Sequence, residues 1–227
     1  MGVPKVQTQT PPKTAQRKRK RVPRALVYEM VRGRPVYYRG YEKVLTGELP
    51  PEAVMGSSAL QAKIVQVLLL FLHRVLNLKQ YEILAHELGF MMASGHWRAL
   101  DIAVFERQAL REEGYPNRYT RTPPLLVIEV DTKADLSRYE GQIEWYIREK
   151  VDDLLAAGVQ QVLWFTTHDR RVLEARPGQP WTLAPWDRDI PLVVGDVTLN
   201  LARLLEEEGI QFVERTKSSD IPKEDHP

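Results

Sequence analysis

Cysteine is absent from the 227-residue chain, and its absence excludes disulfide bonds, thiolate zinc sites and cysteine nucleophiles. Long apolar runs are absent as well. The longest, VLLLFL at residues 67 to 72, is far shorter than the roughly 18 residues that a membrane-spanning helix needs. The N-terminus also lacks the apolar core of a secretory signal. These features predict a cytoplasmic protein that does not enter a membrane.

Acidic residues are absent from residues 1–24, which hold eight of the 32 lysines and arginines. The rest of the chain therefore has 24 bases against 30 acids, a net charge of about −6. Two interpretations of this basic segment remain open: it binds nucleic-acid phosphates by counterion release, or it only aids solubility. The first interpretation assigns the nucleic-acid contacts to Arg17, Lys18, Arg19, Lys20 and Arg21.

Composition divides the chain into three parts. Residues 1–24 are polar, basic and proline-bearing, which predicts a disordered arm. Residues 25–213 have the size and apolar content of one folded domain. Residues 214–227 are again polar and contain proline, which predicts a flexible tail.

Hydrophobic periodicity predicts a mixed α/β domain. Strand, helix and strand in succession imply a right-handed crossover between parallel strands, and two strands around the Ser94-Gly95 turn imply an antiparallel pair before it. The fold class is therefore α/β, with a mixed β-sheet flanked by helices. The predicted helices cover about 58–77, 136–157 and 199–208, and the predicted strands 81–93, 97–107, 123–133 and 159–168, with shorter strands near 171–177 and 191–197.

Charged residues interrupt three of these apolar elements. In PPLLVIEVDTKAD, residues 123–135, a strand period of two would put Glu129, Asp131 and Lys133 on one face. Asp101 interrupts ALDIAVF, and Lys150 lies on the apolar stripe of the helix after the strand. Asp101 has a simpler interpretation, as a buried aspartate bonded to backbone amides or to an arginine such as Arg98. The lysine and the acids could likewise form only a buried salt-bridge network.

A metal site is the functional interpretation of the same residues. Neighbouring strands lie about 4.8 Å apart, so Asp101 and Glu129 would be within reach of one cation, with Asp131 as a further ligand. An all-oxygen ligand set suits Mg²⁺, or Mn²⁺, better than zinc. A lysine beside that ion could orient an attacking water or neutralise charge on a transition-state phosphate.

This order of residues resembles the PD-(D/E)XK nuclease superfamily, and more closely its Uma-type family of restriction endonucleases, over most of residues 41–206. The matching features are Asp101 after a strand-turn-strand unit, LVIEV with Glu129, and Lys150 eight residues before Gly158-Val159 and the strand VLWF. The resemblance implies a restriction-endonuclease-like core with Asp101, Glu129 and Lys150 as catalytic residues. It also implies Asp101, Glu129 and Asp131 as metal ligands and Mg²⁺ as the cofactor.

The chain departs from the family pattern in ways that leave two alignments open. Leu100 precedes Asp101, where many members have proline, and DTK follows Glu129-Val130. Asp131 and Lys133 therefore form an acid-x-lysine pattern of their own. Lys150 is favoured over Lys133 as the catalytic lysine. Lys133 is predicted at the end of a strand, where an exposed lysine is common and needs no functional explanation.

The leading functional hypothesis is a metal-dependent endonuclease that hydrolyses nucleic-acid phosphodiester bonds, with DNA as the expected partner. A nucleic-acid-binding protein that keeps the fold without efficient cleavage is the alternative, and a hydrolase of smaller phosphate esters is a third. The lack of a membrane-length apolar run predicts no membrane partner, and a homodimer is left open.

Overall fold

The structure is a computed structural model that describes residues 21–210. The helices are α1 (Tyr41–Thr46), α2 (Glu52–Met55), α3 (Ala59–Val75), α4 (Arg107–Glu113), α5 (Ile143–Ala156) and α6 (Leu201–Glu207). The strands are β1 (Val27–Val31), β2 (Arg34–Tyr37), β3 (Tyr81–Ala93), β4 (His96–Glu106), β5 (Leu126–Val130), β6 (Gln161–Thr166), β7 (Arg171–Ala175), β8 (Thr182–Pro185), β9 (Ile190–Pro191) and β10 (Thr198–Leu199). Short 3₁₀ turns cover Arg24–Leu26 and Ser137–Tyr139.

Strands β1 to β8 form one mixed sheet. Its order is β2-β1-β4-β5-β6-β7-β8, and β3 pairs with β4 outside that path. Only β5 and β6 are paired in parallel among these strands, and α5 makes the crossover between them. The predicted α/β class with a mixed sheet flanked by helices is therefore confirmed.

Strand β4 has two different neighbours along one edge. Strand β3 pairs with it from one end to the other, so β1 and β5 must share the opposite edge. There β1 meets β4 at Trp97, whereas β5 pairs with residues 102–104. The stretch of β4 between these two pairings is the centre of the candidate site.

Helices cover both faces of the sheet. Helix α3 begins where Ser58 Oγ accepts the amide of Gln61, at 3.1 Å, and its buried residues Ile64, Val67, Leu68, Phe71 and Leu72 have the spacing of one helical stripe. Together with α6, this stripe packs against Ile102, Ile128 and Leu163 of the sheet. Helix α5 packs on the other core, which contains Ala103, Val127 and Trp164. Within residues 21–210, no helix is both long and apolar enough to cross a membrane.

Several predicted boundaries are wrong. Helix α5 starts at Ile143 rather than near 136, because Glu140 and Gly141 have φ values of 54° and 78° and interrupt the helix. The strand predicted near 191–197 is mostly a turn between β9 and β10. The predicted arm lies outside the described residues except for residues 21–24, of which Arg24 already begins a 3₁₀ turn. The predicted tail, 214–227, lies wholly outside them.

Candidate active site

Asp101 and Glu129 lie side by side on adjacent strands. The antiparallel register pairs Ile102 with Ile128, so the next residues along the two strands are Asp101 and Glu129. Residues opposite one another in this arrangement have Cβ atoms about 5 Å apart. Asp101 Oδ2 accepts the amide of Val130 at 2.9 Å, which fixes the aspartate against β5. The predicted bond of Asp101 to a backbone amide is therefore present. It uses Oδ2 and leaves Oδ1 for another contact.

Lys150 reaches the same point from helix α5. Its ammonium donates to Ala99 O at 2.6 Å and lies 3.0 Å from both Glu129 Oε2 and Glu29 Oε1. An ammonium has three donors, so these three acceptors use all of them. The rings of Tyr28 and Trp164 enclose the Nζ atom at 5.9 and 5.3 Å from their centroids. Lys150 is completely buried, and in this arrangement it holds Glu129 from behind rather than facing solvent.

Glu29 and Arg98 complete the centre and were not predicted as site residues. The Glu29 carboxylate accepts from Arg98 at 2.8 Å, from the Tyr146 hydroxyl at 3.0 Å and from the Ala99 amide at 3.2 Å. Since β1 and β5 leave Ala99 without a strand partner on this edge, Glu29 and Lys150 satisfy its two backbone groups instead. A charged residue within the apolar strand VYEMV was the available signal for Glu29.

The buried network continues along α5 toward the surface. Asp153 Oδ2 accepts from Arg98 Nη2 at 2.5 Å and lies 3.0 Å from His96 Nε2. Arg32 binds the other oxygen of Asp153 at 2.7 Å. Tyr146, Lys150 and Asp153 recur at spacings of four and three on one face of α5, which explains a polar row within an apolar stripe. The salt-bridge interpretation is therefore realised, but with Glu29 and Asp153 in place of Asp131.

Burial and neighbouring charges shift the pKa values of Glu129, Asp101 and Lys150. Burial raises the pKa of Glu129 well above its ordinary value, and the nearby Asp101 charge adds to the shift against the opposing effect of Lys150. Burial also raises the pKa of Asp101, although the Val130 amide and the ammonium groups of Lys150 and Lys133 oppose it. Burial alone would lower the pKa of Lys150, but the carboxylates of Glu129, Glu29 and Asp101 raise it. Lys150 is therefore charged, and two carboxylates compete for it.

A divalent cation fits this pair. Glu129 Oε1 is buried and has no hydrogen-bond partner in the described chain, and Asp101 lies beside it. A cation there would be the missing partner of this oxygen. It would also balance the negative charge of the two acids that Lys150 alone does not neutralise. No set of three or more histidine, aspartate or glutamate side chains within 21–210 is arranged to hold a metal. Mg²⁺ needs no such set, since it commonly binds one or two carboxylates and keeps several waters.

Asp131 does not join Asp101 and Glu129. Strand β5 ends at Val130, and Asp131 has φ 55°, so the alternation predicted for residues 129, 131 and 133 stops there. The Asp131 carboxylate instead accepts the amide of Thr167 at 2.8 Å and its hydroxyl at 2.7 Å. The prediction that residues 129, 131 and 133 share one face is wrong. Asp131 joins the end of β5 to the residue after β6.

Lys133 binds a different carboxylate from those that Lys150 binds. Its ammonium binds Glu87, which also accepts the Tyr38 hydroxyl at 2.9 Å. Glu87 and His86 form a bulge in β3 directly opposite Asp101, because the register passes from Ala85 and Ile102 to Leu88 and Leu100. Both bulge residues have positive φ, 51° and 76°. A bulge re-aims side chains, and here it directs Glu87 to the lysine.

A cavity of about 490 Å³ lies next to this centre, at the carboxyl ends of β5 and β6. Among the described residues, two cations, Arg39 and Lys133, and one acid, Asp131, line it, so its charged lining is basic on balance. Asp101, Glu129 and Lys150 do not line it, so the predicted convergence of these three residues occurs beside the cavity rather than on its wall. Gln61 does line it and donates to Val130 O at 2.7 Å, which connects the wall to the strand that carries Glu129.

The predicted nucleic-acid contacts of the arm are only partly described. Arg17, Lys18, Arg19 and Lys20 lie outside the described residues. Arg21 is described, and it lines a separate cavity together with Arg24 and Trp97.

Comparison with known proteins gives a fold relationship. No family model matches the chain, and no curated protein matches it. Among solved structures, it is similar to "a putative nuclease belonging to DUF820" from Anabaena variabilis, with 19% sequence identity and a TM-score of 0.50. The alignment covers 66% of this chain and 79% of the other. The chain therefore shares a mixed α/β fold with that structure.

Proposed function

We propose that the protein is a metal-dependent nuclease that hydrolyses phosphodiester bonds of nucleic acid, with DNA as its first expected substrate. The observation that carries the proposal is the acid pair on β4 and β5: beside Asp101, a buried oxygen of Glu129 has no hydrogen-bond partner within residues 21–210. The fold shared with the DUF820 structure supports the same reaction class. Fold likeness by itself does not establish an activity, because one fold hosts many activities.

Asp101 and Glu129 are the proposed ligands of Mg²⁺ or Mn²⁺. Such an ion, when bound, polarises a phosphoryl oxygen and lowers the pKa of a bound water. Lys150 is a positioning residue in this proposal: its ammonium fixes Glu129 Oε2 at 3.0 Å and leaves Oε1, which has no hydrogen-bond partner within residues 21–210, for the ion. Glu29 and Arg98 keep Lys150 in place from the other side.

The basic cavity is the proposed entrance for the substrate. Arg39 and Lys133 can neutralise a phosphodiester backbone there, and Lys133 can exchange Glu87 for a phosphate oxygen. Hydrolysis then adds water across one P–O bond: the water oxygen bonds to phosphorus, and the leaving oxygen departs with a proton. Asp131 takes no part as a ligand in this proposal, because Thr167 occupies its carboxylate.

A second candidate is a nucleic-acid-binding protein that does not cleave. The burial of Glu129 and Lys150, 1% and 0% exposed, favours it, because neither side chain faces the cavity. This candidate predicts DNA binding that is unchanged by substitution of Asp101 or Glu129.

A cleavage assay separates the two candidates. Labelled linear DNA and a circular plasmid are incubated with the full chain in Mg²⁺, in Mn²⁺ and in EDTA, beside Asp101→Asn and Glu129→Gln. Asp152→Asn is the matched control, because its side chain is 62% exposed on α5. The proposal expects cleavage by wild type and the control only, and only with metal. Metal-independent cleavage, or cleavage by both variants at the wild-type rate, would overturn it.

A further inference from the structure

A groove separate from the basic cavity lies where the β1–β2 hairpin, the start of β4 and the loop before β5 meet. Two adjoining cavities of about 360 and 590 Å³ share Arg24, Trp97 and Tyr119. We call this surface the arginine–aromatic groove and define it by these residues together with Arg21, Arg118 and Arg121. No aspartate or glutamate among residues 21–210 lines either cavity. The groove therefore combines concentrated positive charge with exposed ring surface.

The two aromatic rings form a built platform. Their centroids lie 4.7 Å apart at an interplanar angle of 55°, and Tyr119 remains 40% exposed. The Tyr119 ring rests on Gly89 of β3, where a Cβ atom would meet the ring at 2.2 Å. Glycine, which weakens a strand interior, is thus required at position 89 for the ring to lie there.

The loop that carries the platform is fixed in place. Thr120 adds to the edge of β3: its amide donates to Gly89 O at 3.0 Å, and its carbonyl accepts from Met91 at 2.8 Å. Glu113 holds the loop from the other side by accepting from the Arg121 amide and the Thr122 hydroxyl, both at 2.8 Å. The groove is therefore organised before any ligand arrives, which reduces the entropy lost on binding.

Three arginines of the groove have no carboxylate partner among the described residues. Arg24, Arg118 and Arg121 make no ion pair with any residue between 21 and 210, whereas Arg32 and Arg98 each bind carboxylates. Guanidinium groups bind phosphates in a planar fork and also stack on rings. Unpaired arginines beside exposed aromatic rings are the pattern that binds unpaired bases and the phosphates between them.

We propose that the arginine–aromatic groove binds a single-stranded segment of nucleic acid, with bases stacked on Tyr119 and Trp97 and phosphates held by the arginines. The inference rests on the proposed function for the choice of nucleic acid as the polyanion. Trp97 precedes Asp101 by four residues on β4, a distance of about 14 Å along the strand. A strand bound in the groove would extend toward the acid pair.

Binding in EDTA tests the groove without cleavage. A fluorescein-labelled 15-nucleotide single strand is titrated with wild type, Tyr119→Ala, Tyr119→Phe and the double variant Arg118→Gln/Arg121→Gln, with anisotropy as the signal. The matched control is Arg74→Gln/Arg148→Gln, since those arginines are exposed and lie on α3 and α5. Thermal melts of each variant check that the fold is retained.

The expected results differ between the variants. Tyr119→Ala should bind at least about fivefold more weakly, while Tyr119→Phe, which keeps the ring, should bind as wild type does. The Arg118/Arg121 variant should flatten the slope of log affinity against log salt by roughly 1.4, or 0.7 for each lost single-strand phosphate contact. The control should change neither quantity. Double-stranded DNA of the same length should bind more weakly than the single strand.

Three outcomes would overturn the groove proposal. They are wild-type affinity in both groove variants, an equal loss in the control variant, and displacement of the strand by polyglutamate of equal charge as effectively as by unlabelled strand. Asp101→Asn separates this proposal from the proposed function, because it should lose cleavage and still bind the strand with wild-type affinity. If wild type does not cleave but the groove variants lose binding, only the nuclease proposal fails.

Discussion

Replacement of Lys150 by methionine tests the buried centre most severely. Within residues 21–210, Lys150 is the one partner of Glu129 Oε2 and Oε1 has none, so the variant would strand the Glu129 charge. Removing one member of a buried ion pair costs about 3–5 kcal/mol. For a chain of this size the loss corresponds to a fall in Tm of roughly 6–20 °C. Urea unfolding and thermal melts measure both quantities.

Two comparisons make the Lys150 prediction specific. Lys63→Met removes an ion pair of similar length, 2.9 Å to Glu208, but a surface one, and should cost about 1 kcal/mol or less. In the double variant Lys150→Met/Glu129→Gln the stranded charge is gone, so its cost should fall below the sum of the single costs by about 2 kcal/mol. A Lys150→Met cost equal to that of Lys63→Met, or strictly additive costs, would refute the reasoning.

The pH dependence of the Lys150 variant has a definite sign. The pKa of Glu129 is raised in the folded state, so its ionisation opposes folding above the unfolded pKa of about 4.3. Without Lys150 this penalty grows, and it disappears once Glu129 is protonated. The stability gap between wild type and Lys150→Met should therefore narrow as the pH falls toward the unfolded pKa.

Three further predictions concern the acids and the arm. Because the pKa values of Asp101 and Glu129 are raised, protons should compete with Mg²⁺ at a pH above the ordinary carboxylate range of about 4. The Mg²⁺ affinity measured by calorimetry should therefore fall as the pH is lowered. An affinity that stays constant between pH 8 and pH 5 would contradict this. Asp131→Asn should cost about 1–2 kcal/mol in urea unfolding through its weakened bonds to Thr167 and leave Mn²⁺ affinity unchanged, whereas lost Mn²⁺ binding would restore it as a ligand. Removing residues 1–20 should flatten the salt dependence of DNA binding by about 0.9 per lost phosphate contact, and identical slopes would leave the arm as a solubilising segment.

The sequence was sufficient for the elements that carry the acids and the lysine. The helix predicted over about 58–77 and the strands predicted at 81–93 and 97–107 correspond to α3, β3 and β4. The strand-helix-strand order correctly predicted the parallel pairing of β5 and β6. Lys150 stood out because it interrupts an apolar stripe, and it is indeed buried against Glu129.

The sequence was insufficient where chain direction or long-range pairing decides the geometry. Asp131 was placed on the face of Glu129 because a strand period was extended past Val130. Aspartate is one of the few non-glycine residue types that adopt a positive φ, but DTK alone does not show that Asp131 has φ 55°. Glu29 was missed because no strand was predicted over residues 27–31, and Arg98 was considered only as a partner of Asp101. Local periodicity does not show that β1 approaches β4 near Trp97. The groove at Tyr119 likewise depends on a loop that returns to the edge of β3.

A Mn²⁺ titration tests the central claim most directly, because it examines the acid pair without requiring a substrate. Calorimetry on the full chain at pH 7.5 should show one bound ion for wild type and for Asp152→Asn, and none for Asp101→Asn or Glu129→Gln, with all four proteins folded. Wild-type binding by either of the two site variants, or no binding by wild type, would contradict the assignment of Asp101 and Glu129 as the metal ligands.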